Sequence, residues 1–383
     1  MNRTKLSKDS RRKLGKLSLI HFLRLTGVFF MLPLIVVYAR TLSSNLILDG
    51  LALGSYEIAM SAMQIPSTFF SKKTGTKNYL YIGLSFFVIG NYLSFISTDI
   101  YTLIISRFIT GLGAISSPIT SLAIESVPPD RKNTAMVITG IGIGFAFLGG
   151  IGFAPLIGMF IGIRNFFLVS TILGILAMVI VFSIREGLDE NTLHYPIIEN
   201  VETKKIIFLS SFCLATATFI IFFTLQNIYF SIYGLFNYGL IIFFSVLISG
   251  VIGVTISEIF SRIFKIHLLR LSVFLILIGL VLFFLFIMVS PNIYLAAIVL
   301  VPFISGLTIY EIAAVPTLFS SLGYEKRNPS LGKYFTLQYS GNGLGALLAG
   351  TLSFYLAFPD LEYTLLLSGV ALVLLSLIGF FRS

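Results

Sequence analysis

Long apolar segments, separated by short polar ones, follow one another along almost the whole chain. The segment Leu271–Val289, for example, contains no charged residue. Each segment has about the 20 residues that a helix needs to cross the hydrocarbon core of a bilayer. A membrane β-barrel would instead show short strands in which apolar and polar residues alternate. The pattern therefore predicts an all-α integral membrane protein, in which helices satisfy the backbone hydrogen bonds away from water.

The spacing of these segments predicts twelve transmembrane helices. Connections such as Ser290–Asn292 are very short, so consecutive helices are expected to run antiparallel. The predicted spans are 17–39, 48–70, 79–97, 101–124, 134–160, 164–184, 206–230, 238–260, 267–289, 292–319, 333–357 and 361–381.

Composition and charge agree with a membrane protein and set its expected orientation. Only 11 % of the 383 residues are charged, against about 25 % in soluble domains, and 56 % are hydrophobic. The net charge of +10 is spread over short loops and does not form one patch, so nucleic acid is not an expected partner. With a cytoplasmic N-terminus, 22 loop and tail Lys or Arg residues fall inside, and only Arg40 and Arg164 fall outside. This bias predicts a multi-pass plasma-membrane protein with both termini in the cytoplasm.

The two halves of the chain repeat each other. Phe108–Leu112 matches Phe303–Leu307 at an offset of 195 positions, and Asp130–Asn133 matches Glu325–Asn328 at the same offset. With an even number of helices in each half, the repeat is parallel. We therefore expect two six-helix bundles related by a parallel pseudo-two-fold axis, with a substrate site between them near the midplane. The expected domains are residues 1–184 and 206–383, joined by a cytoplasmic linker over 185–205.

Other classes of protein find little support in the residues. The Gly-x-Gly-x-Gly patterns from Gly140 and from Gly341 follow no strand, so we interpret them as helix-packing motifs and not as a nucleotide site. The single cysteine, Cys213, excludes a disulfide within the chain, and no metal-ligand spacing is present. The sequence shows no arrangement of a nucleophile and a base that would predict an enzyme. We expect no cofactor and no metal, and a monomer in the bilayer. The rival from another class, a non-transporting membrane sensor or scaffold, would be expected to lose its charged residues within the membrane, and this chain keeps them.

Helices 1 and 2 resemble a known family of transporters. They contain Leu23–Gly27, Met31–Pro33, Gly54–Tyr56 and Gln64–Pro66. These segments look like the opening of the drug:proton antiporter branch of the major facilitator superfamily. Further residues resemble the family's first cytoplasmic loop motif, its helix 4 motif and its helix 5 antiporter motif. In that order they are Lys72, Lys73, Gly75 and Lys77; Arg107, Gly111 and Gly113; and Gly150, Ala154, Pro155 and Gly158.

The sequence also departs from that pattern. Lys72 stands where the loop motif usually has Asp, and Ala154 stands where the helix 5 motif usually has Gly. In the family, the missing carboxylate helps to close the cytoplasmic side. Lys73 and Glu125 are the expected substitutes for that gating contact. The partly kept helix 5 motif weakens the argument for antiport over symport.

Four ionisable residues lie well inside predicted helices: Arg24, Glu57, Arg107 and Glu311. Ionisable residues in the membrane are costly, so each is a functional candidate. Glu57 and Arg107 are at similar depths, roughly 13 and 9 Å from the outer ends of their helices at 1.5 Å per residue, and are expected to be able to pair. Arg24 and Glu311 share a second level. Two interpretations stay open: structural ion pairs, or a proton and substrate site in which Glu57 is the favoured acid and Glu311 the second.

The expected activity follows from this resemblance and these residues. Gln64, Gln226, Tyr310, Gln338 and Asn342 are the candidate lining of a central cavity. A mixed aromatic and amide lining suits an amphipathic organic solute better than an inorganic ion. The resemblance implies proton-coupled export of hydrophobic or amphipathic small molecules by alternating access. The alternative is proton-coupled uptake of a small metabolite such as a sugar or an organic acid.

Overall fold

The computed structural model describes residues 7–128, 131–184, 201–261, 265–289, 292–320, 327–356 and 360–381. Over these ranges the protein is almost entirely helical, as predicted. The predicted linker lies outside the described residues except for 201–205, which begin a helix. The helices are α1 Lys8–Met31, α2 Ile35–Leu42, α3 Leu46–Thr74, α4 Thr76–Ile96, α5 Ile100–Leu112, α6 Ser116–Glu125, α7 Lys132–Ile161, α8 Asn165–Phe182, α9 Val201–Thr224, α10 Phe230–Ser261, α11 Lys265–Val289, α12 Ile293–Ser320, α13 Arg327–Tyr355 and α14 Asp360–Phe381.

Two of the predicted spans are broken helices. Span 17–39 consists of α1 and α2, which are separated at Leu32–Leu34, where Pro33 cannot continue the backbone hydrogen-bond ladder. Span 101–124 consists of α5 and α6, with the break at Gly113–Ile115. A π-helical turn, Leu225–Tyr229, connects α9 to α10, and Gly234 interrupts α10 with a φ of 73°. The first helix also begins nine residues earlier than predicted, because the Ser7 side chain caps it by accepting a hydrogen bond from Ser10 N at 3.0 Å.

Length and composition support a multi-pass membrane protein. Within the described residues, nine helical segments are long and apolar enough to cross a bilayer. Two shorter apolar helical segments, Leu268–Phe283 and Leu367–Gly379, accompany them. Many large apolar side chains, such as Phe160 and Phe182, point outward, which suits a surface that faces lipid.

The helices fall into two sets with corresponding neighbours. In the first set, α1 packs on α7 and α8, α3 packs on α5, and α4 packs on α5 and α8. In the second set, α9 packs on α13 and α14, α10 packs on α12, and α11 packs on α12 and α14. The sets meet where α3 packs on α13 and where α7 packs on α10.

Glycines allow the closest helix contacts. A Cβ on Gly50 would lie 2.7 Å from Ala346 O, and one on Gly350 would lie 2.8 Å from Gly50 Cα, so α3 and α13 touch backbone to backbone. The Gly-x-Gly-x-Gly patterns pack only in part. Gly142 lies against Ser18 of α1, and Gly341 and Gly345 lie against α9, but Gly140, Gly144 and Gly149 have no neighbour within 4 Å of an added Cβ.

The two ends of the helix assembly are named here by their residues. The Arg40 end contains the α2–α3, α4–α5 and α7–α8 connections, and the Lys77 end contains the α3–α4 connection. At the Lys77 end, an apolar cluster joins the two sets: Ile124 and Met136 pack with Leu331, Val315 and Phe335. At the Arg40 end, Tyr238 of α10 donates a hydrogen bond to Pro33 O at 2.9 Å. The two sets of helices therefore contact each other near both ends.

Candidate functional site

One face of α13 connects most of the predicted site residues. Asn342 follows Gln338 by four positions and Tyr339 by three, the spacings at which side chains lie on the same face of a helix. Gln338 contacts Glu311 of α12, and Asn342 contacts Glu57 of α3. Tyr339 contacts Ser116 of α6, which in turn contacts Arg24. Residues that are far apart in sequence thus meet at the contact between the two sets of helices.

Glu57 is 5 % exposed, and its Oε2 accepts a hydrogen bond from Asn342 Nδ2 at 2.9 Å. The contact joins α3 of the first set to α13 of the second. The possible ion pair between Glu57 and Arg107 is not formed in the structure. Instead, the Arg107 guanidinium carbon lies 4.9 Å from the ring centroid of Tyr56, and among the described residues Arg107 Nε has no hydrogen-bond partner.

Arg24 is fully buried, and its hydrogen-bond partners in the described part of the chain are neutral groups. Its Nη1 donates to Ser116 Oγ at 3.2 Å, and its Nη2 donates to Tyr56 OH at 3.1 Å and to Met60 Sδ at 3.2 Å. The guanidinium carbon lies 6.0 Å from the centroid of the Phe87 ring. Arg24 therefore lies within the first set of helices, and no contact joins it to Glu311.

Glu311 has a different environment. Its Oε1 accepts a hydrogen bond from Gln338 Nε2 at 2.5 Å, and its side chain remains exposed. The preceding residue, Tyr310, is buried and shares a hydrogen bond with Ser210 Oγ of α9 at 2.7 Å. Its hydroxyl also lies 3.2 Å from Ile207 O. Tyr310 thus joins α12 to α9, and Glu311 is the residue that reaches α13.

The other two of the three predicted glutamines, Gln64 and Gln226, have opposite environments. Gln64 of α3 is fully buried, and both atoms of its side-chain amide lack a hydrogen-bond partner among the described residues. Gln226, in the π-helical turn, uses its whole amide: Oε1 accepts from Val36 N at 2.9 Å and Nε2 donates to Leu32 O at 3.0 Å. In an unbroken helix, Val36 N would bond to Leu32 O. The Gln226 side chain therefore bridges the broken hydrogen bond beside Pro33.

The loop motif lies at the junction between α3 and α4. Gly75 adopts a φ of 86°, which an L side chain rarely adopts, so this position requires glycine. Lys77 donates a hydrogen bond to Phe182 O at 3.0 Å and lies 5.6 Å from the centroid of the Phe182 ring. Lys73 and Glu125, the predicted gating substitutes, are both exposed, and the side chain of Lys72 lies outside the described residues.

The helix 5 motif is a packing surface. A Cβ on Gly150 would lie 2.5 Å from Phe29 Cβ of α1, so that the two helices are in close contact. Ala154 is fully buried, and Pro155 packs against Gly239 of α10. A Cβ on Gly158 would lie 3.3 Å from the Phe166 ring. These residues hold α7 between α1 and α10.

The sequence analysis missed a polar network at the Arg40 end. Arg40 Nε lies 2.8 Å from Asp49 Oδ2, the ion pair that the structure records in the described part of the chain. The same guanidinium donates to Asn227 Oδ1 of the π-helical turn. Asp49 is fully buried although it lies in the first turn of α3. The sequence contained a signal for this pair, since Arg40 is one of only two basic residues at the expected outer side.

The other residues around Arg24 were not predicted to contact it. Tyr56, Met60, Ser116 and Tyr339 surround Arg24, but single hydroxyl, thioether and phenol groups are common in membrane helices. The structure also buries His21, one turn before Arg24, and neither of its ring nitrogens has a hydrogen-bond partner among the described residues.

Comparison with known proteins identifies the family. The family model described as Major Facilitator Superfamily matches residues 17–330. This chain belongs to the major facilitator superfamily. The resemblance inferred from helices 1 to 5 is therefore confirmed at the level of the superfamily, and membership of this family implies a multi-pass membrane protein.

Individual relatives agree with this assignment. An uncharacterized transporter of Buchnera aphidicola subsp. Baizongia pistaciae is 34 % identical over 161 residues, which are 42 % of this chain and 41 % of that protein. The inner membrane transport protein YajR of Escherichia coli K12 is 28 % identical over 174 residues, or 45 % of this chain and 38 % of YajR. The chain spans about half or less of the length of these relatives.

The fold of this superfamily member is shared with solved structures. A partially occluded, inward-open structure of the xylose transporter XylE from E. coli aligns with a TM-score of 0.75 at 13 % identity. The alignment covers 97 % of each chain. At this level of identity the similarity concerns the fold alone.

Proposed function

We propose that this major facilitator protein is a proton-coupled secondary transporter of the drug:proton antiporter type, which exports hydrophobic or amphipathic small molecules by alternating access. Its twelve spans form two six-helix bundles, residues 1–184 and 206–383, connected by a cytoplasmic linker over 185–205. The duplicated set of helix neighbours supports this division. The Arg40 end faces the outside of the plasma membrane, and both termini are cytoplasmic, as the distribution of basic loop residues favours.

The observation that carries the proposal is the hydrogen bond from Asn342 to Glu57. It joins a titratable group of the N-terminal bundle to the C-terminal bundle, at a buried position between them. A hydrogen bond to a carboxylate is roughly twice as strong as one between neutral groups. Protonation of Glu57 removes that advantage and favours separation of α3 from α13. Deprotonation favours their contact, so the proton state is coupled to the rocking of the bundles.

The buried arginines leave this hydrogen bond intact. Neither Arg107 nor Arg24 forms an ion pair with Glu57, so the carboxylate keeps Asn342 as its partner. Glu311, with Gln338 as its partner, is the second candidate acid. Proton-coupled uptake of a small metabolite, such as a sugar or an organic acid, remains the alternative, because the same coupling works in either direction.

Reconstitution of a Glu57→Gln variant tests the proposal. Gln keeps the size and hydrogen-bonding capacity of the side chain but removes the titratable charge. We expect proteoliposomes of this variant to lose transport of amphipathic solutes driven by a pH gradient, while solute exchange at equal pH remains close to that of the parent. Glu311→Gln is the matched control and should keep the gradient-driven component. If both variants respond to the gradient as the parent does, neither acid couples protons.

A further inference from the structure

The surroundings of Arg24 raise the question of what balances its charge. Three uncharged groups accept its hydrogen bonds, from Ser116, Tyr56 and Met60, and its Nε has no partner among the described residues. In the described part of the chain, no carboxylate oxygen lies within 4.0 Å of the guanidinium. A fully buried cation without a partner of opposite charge is costly. The site therefore favours an anion from outside the chain.

The nearest acid does not fill this role. Glu57 follows Tyr56 in α3, but its carboxylate is turned to Asn342. Arg107 adds a second buried cation, whose guanidinium carbon lies 4.9 Å from the centroid of the Tyr56 ring. Two arginines thus lie near one carboxylate that binds neither of them, and the charge balance of this region is positive.

The wall around Arg24 is apolar and aromatic. Tyr56, Met60 and Phe87 belong to one buried cluster, together with Val28 and Ala114. Met63 and Tyr339 pack against the same cluster from its border. Methionine and aromatic side chains adapt to apolar groups of different shapes. A ligand that places an acidic group on Arg24 would therefore place its apolar body against this cluster.

Tyr339 closes the site from the opposite bundle. Its hydroxyl lies 3.3 Å from Ser116 Oγ, which also accepts a hydrogen bond from Arg24. In the proposed cycle, α13 moves away from the N-terminal bundle, and Tyr339 moves with it. This movement uncovers Arg24 and its apolar wall, whereas the closed arrangement encloses a ligand between the two bundles.

We infer that the substrate is an amphipathic organic anion, whose acidic group binds Arg24 together with the hydroxyls of Tyr56, Ser116 and Tyr339. The inference rests on the proposed transport function and names the chemical class of its substrate. The apolar body of the anion packs against Met60 and Phe87. Arg24 is thus a substrate-binding residue, and Glu57 is the separate site of proton coupling.

Binding to the purified full-length chain tests the inference without any gradient. Cys213 is the single cysteine and is buried, so a dye that fluoresces on reaction with thiols reports thermal unfolding. Three probes of nearly the same shape are titrated: naphthoate, naphthamide and naphthylmethylammonium. We expect naphthoate to raise the Tm in a saturable way and the other two to have little effect. Arg24→Gln should raise the Kd for naphthoate about tenfold or more, as loss of a charge-assisted contact does.

Matched variants separate binding from folding. Arg164→Gln removes an arginine at the Arg40 end, where its Nε donates to Phe95 O, and should bind naphthoate as the parent does. Ser116→Ala and Tyr339→Phe each remove one hydroxyl and should weaken binding several-fold, even if Arg24→Gln proves too unstable to measure. Equal stabilisation by the ammonium probe, an effect of inorganic sulfate alone, or unchanged binding in all three site variants would overturn the inference. Gradient-driven transport of the neutral amide would do so too, while leaving the transport function intact.

Discussion

Buried polar side chains of this protein differ in whether they satisfy backbone hydrogen bonds, and the two buried glutamines show the difference. Gln226 takes the place of a backbone hydrogen bond that Pro33 breaks, since its amide both accepts from Val36 N and donates to Leu32 O. Insertion of a side chain into the backbone ladder is a known cause of helix kinks. Gln64 has the same burial but no partner among the described residues. Burial alone therefore does not tell a structural glutamine from one that is free to contact a ligand.

This contrast predicts opposite effects of the same substitution. Gln226→Leu leaves a buried N–H and a buried C=O without partners, at about 1–3 kcal/mol each, and should lower the Tm clearly. Gln64→Leu removes an amide that makes no hydrogen bond, so its Tm should stay close to that of the parent or rise. Thermal unfolding followed by Cys213 labelling measures both. A larger loss of stability for Gln64→Leu than for Gln226→Leu would contradict the assignment of the hydrogen bonds.

At the scale of helices, close contact depends on which glycine of a motif faces a neighbour. Gly142 of α7 lies against the Ser18 carbonyl of α1, whereas Gly144, two positions later, has open space beside it. Successive positions of a helix are rotated by about 100°, so alternate glycines cannot all serve one contact. The motif is thus a packing device at some positions only.

A pair of alanine substitutions tests this reading of the motif. Gly142→Ala places a methyl group against Ser18 O and should lower the Tm and push α1 away from α7. Gly144→Ala meets no neighbour and should raise the Tm or leave it unchanged, since alanine favours the helix by about 1 kcal/mol over glycine. The measurement is the change in Tm, which should be negative for Gly142→Ala and zero or positive for Gly144→Ala. Equal destabilisation by both substitutions would show that Gly144 also packs against another helix.

At the scale of the whole molecule, the two sets of helices contact each other near both ends, through groups of different chemistry. At the Lys77 end the contact between the two sets is the apolar cluster of Ile124, Met136 and Leu331. At the Arg40 end it is polar, because Arg40 joins Asp49 of α3 to Asn227 of the π-helical turn. Alternating access requires that one of these contacts breaks while the other holds. The polar contact can exchange its partners for water, so it is the one that charge substitutions should open.

Asp49→Asn is therefore expected to shift the population toward a state that is open at the Arg40 end. A loss of about 1.4 kcal/mol from the closed state changes the ratio of the two states about tenfold. Spin labels at Tyr101 and Phe236, which are exposed at this end on different sets of helices, measure the opening in a Cys213→Ala background. A longer-distance population should appear in Asp49→Asn. Arg164→Gln removes a charge whose recorded side-chain contacts in the described part of the chain are with Phe95 of α4, so it should leave the distances unchanged. Similar distances in the parent and in both variants would exclude Arg40–Asp49 as a latch.

The sequence alone determined that this chain lies in a lipid bilayer, that it is helical, and which superfamily it resembles. Apolar segments of membrane length, basic loops and local motifs each depend on neighbours in sequence, and these features could be predicted. It also identified the ionisable residues Arg24, Glu57, Arg107 and Glu311, since burying charge in a membrane is costly wherever the fold places it. The proton-coupling role of Glu57 stays a prediction.

Only the tertiary structure decided which groups these residues meet. The depth of a residue along its helix suggested that Glu57 could pair with Arg107, but depth does not specify the rotation of a helix about its axis. The packing of α3 on α13 turns Glu57 toward Asn342, 285 positions away in sequence, and leaves Arg107 over Tyr56. Gln226 and Asp49 likewise found partners through the break at Pro33 and the position of Arg40. Such contacts arise between segments that the sequence keeps apart, so only the folded arrangement of the helices determines them.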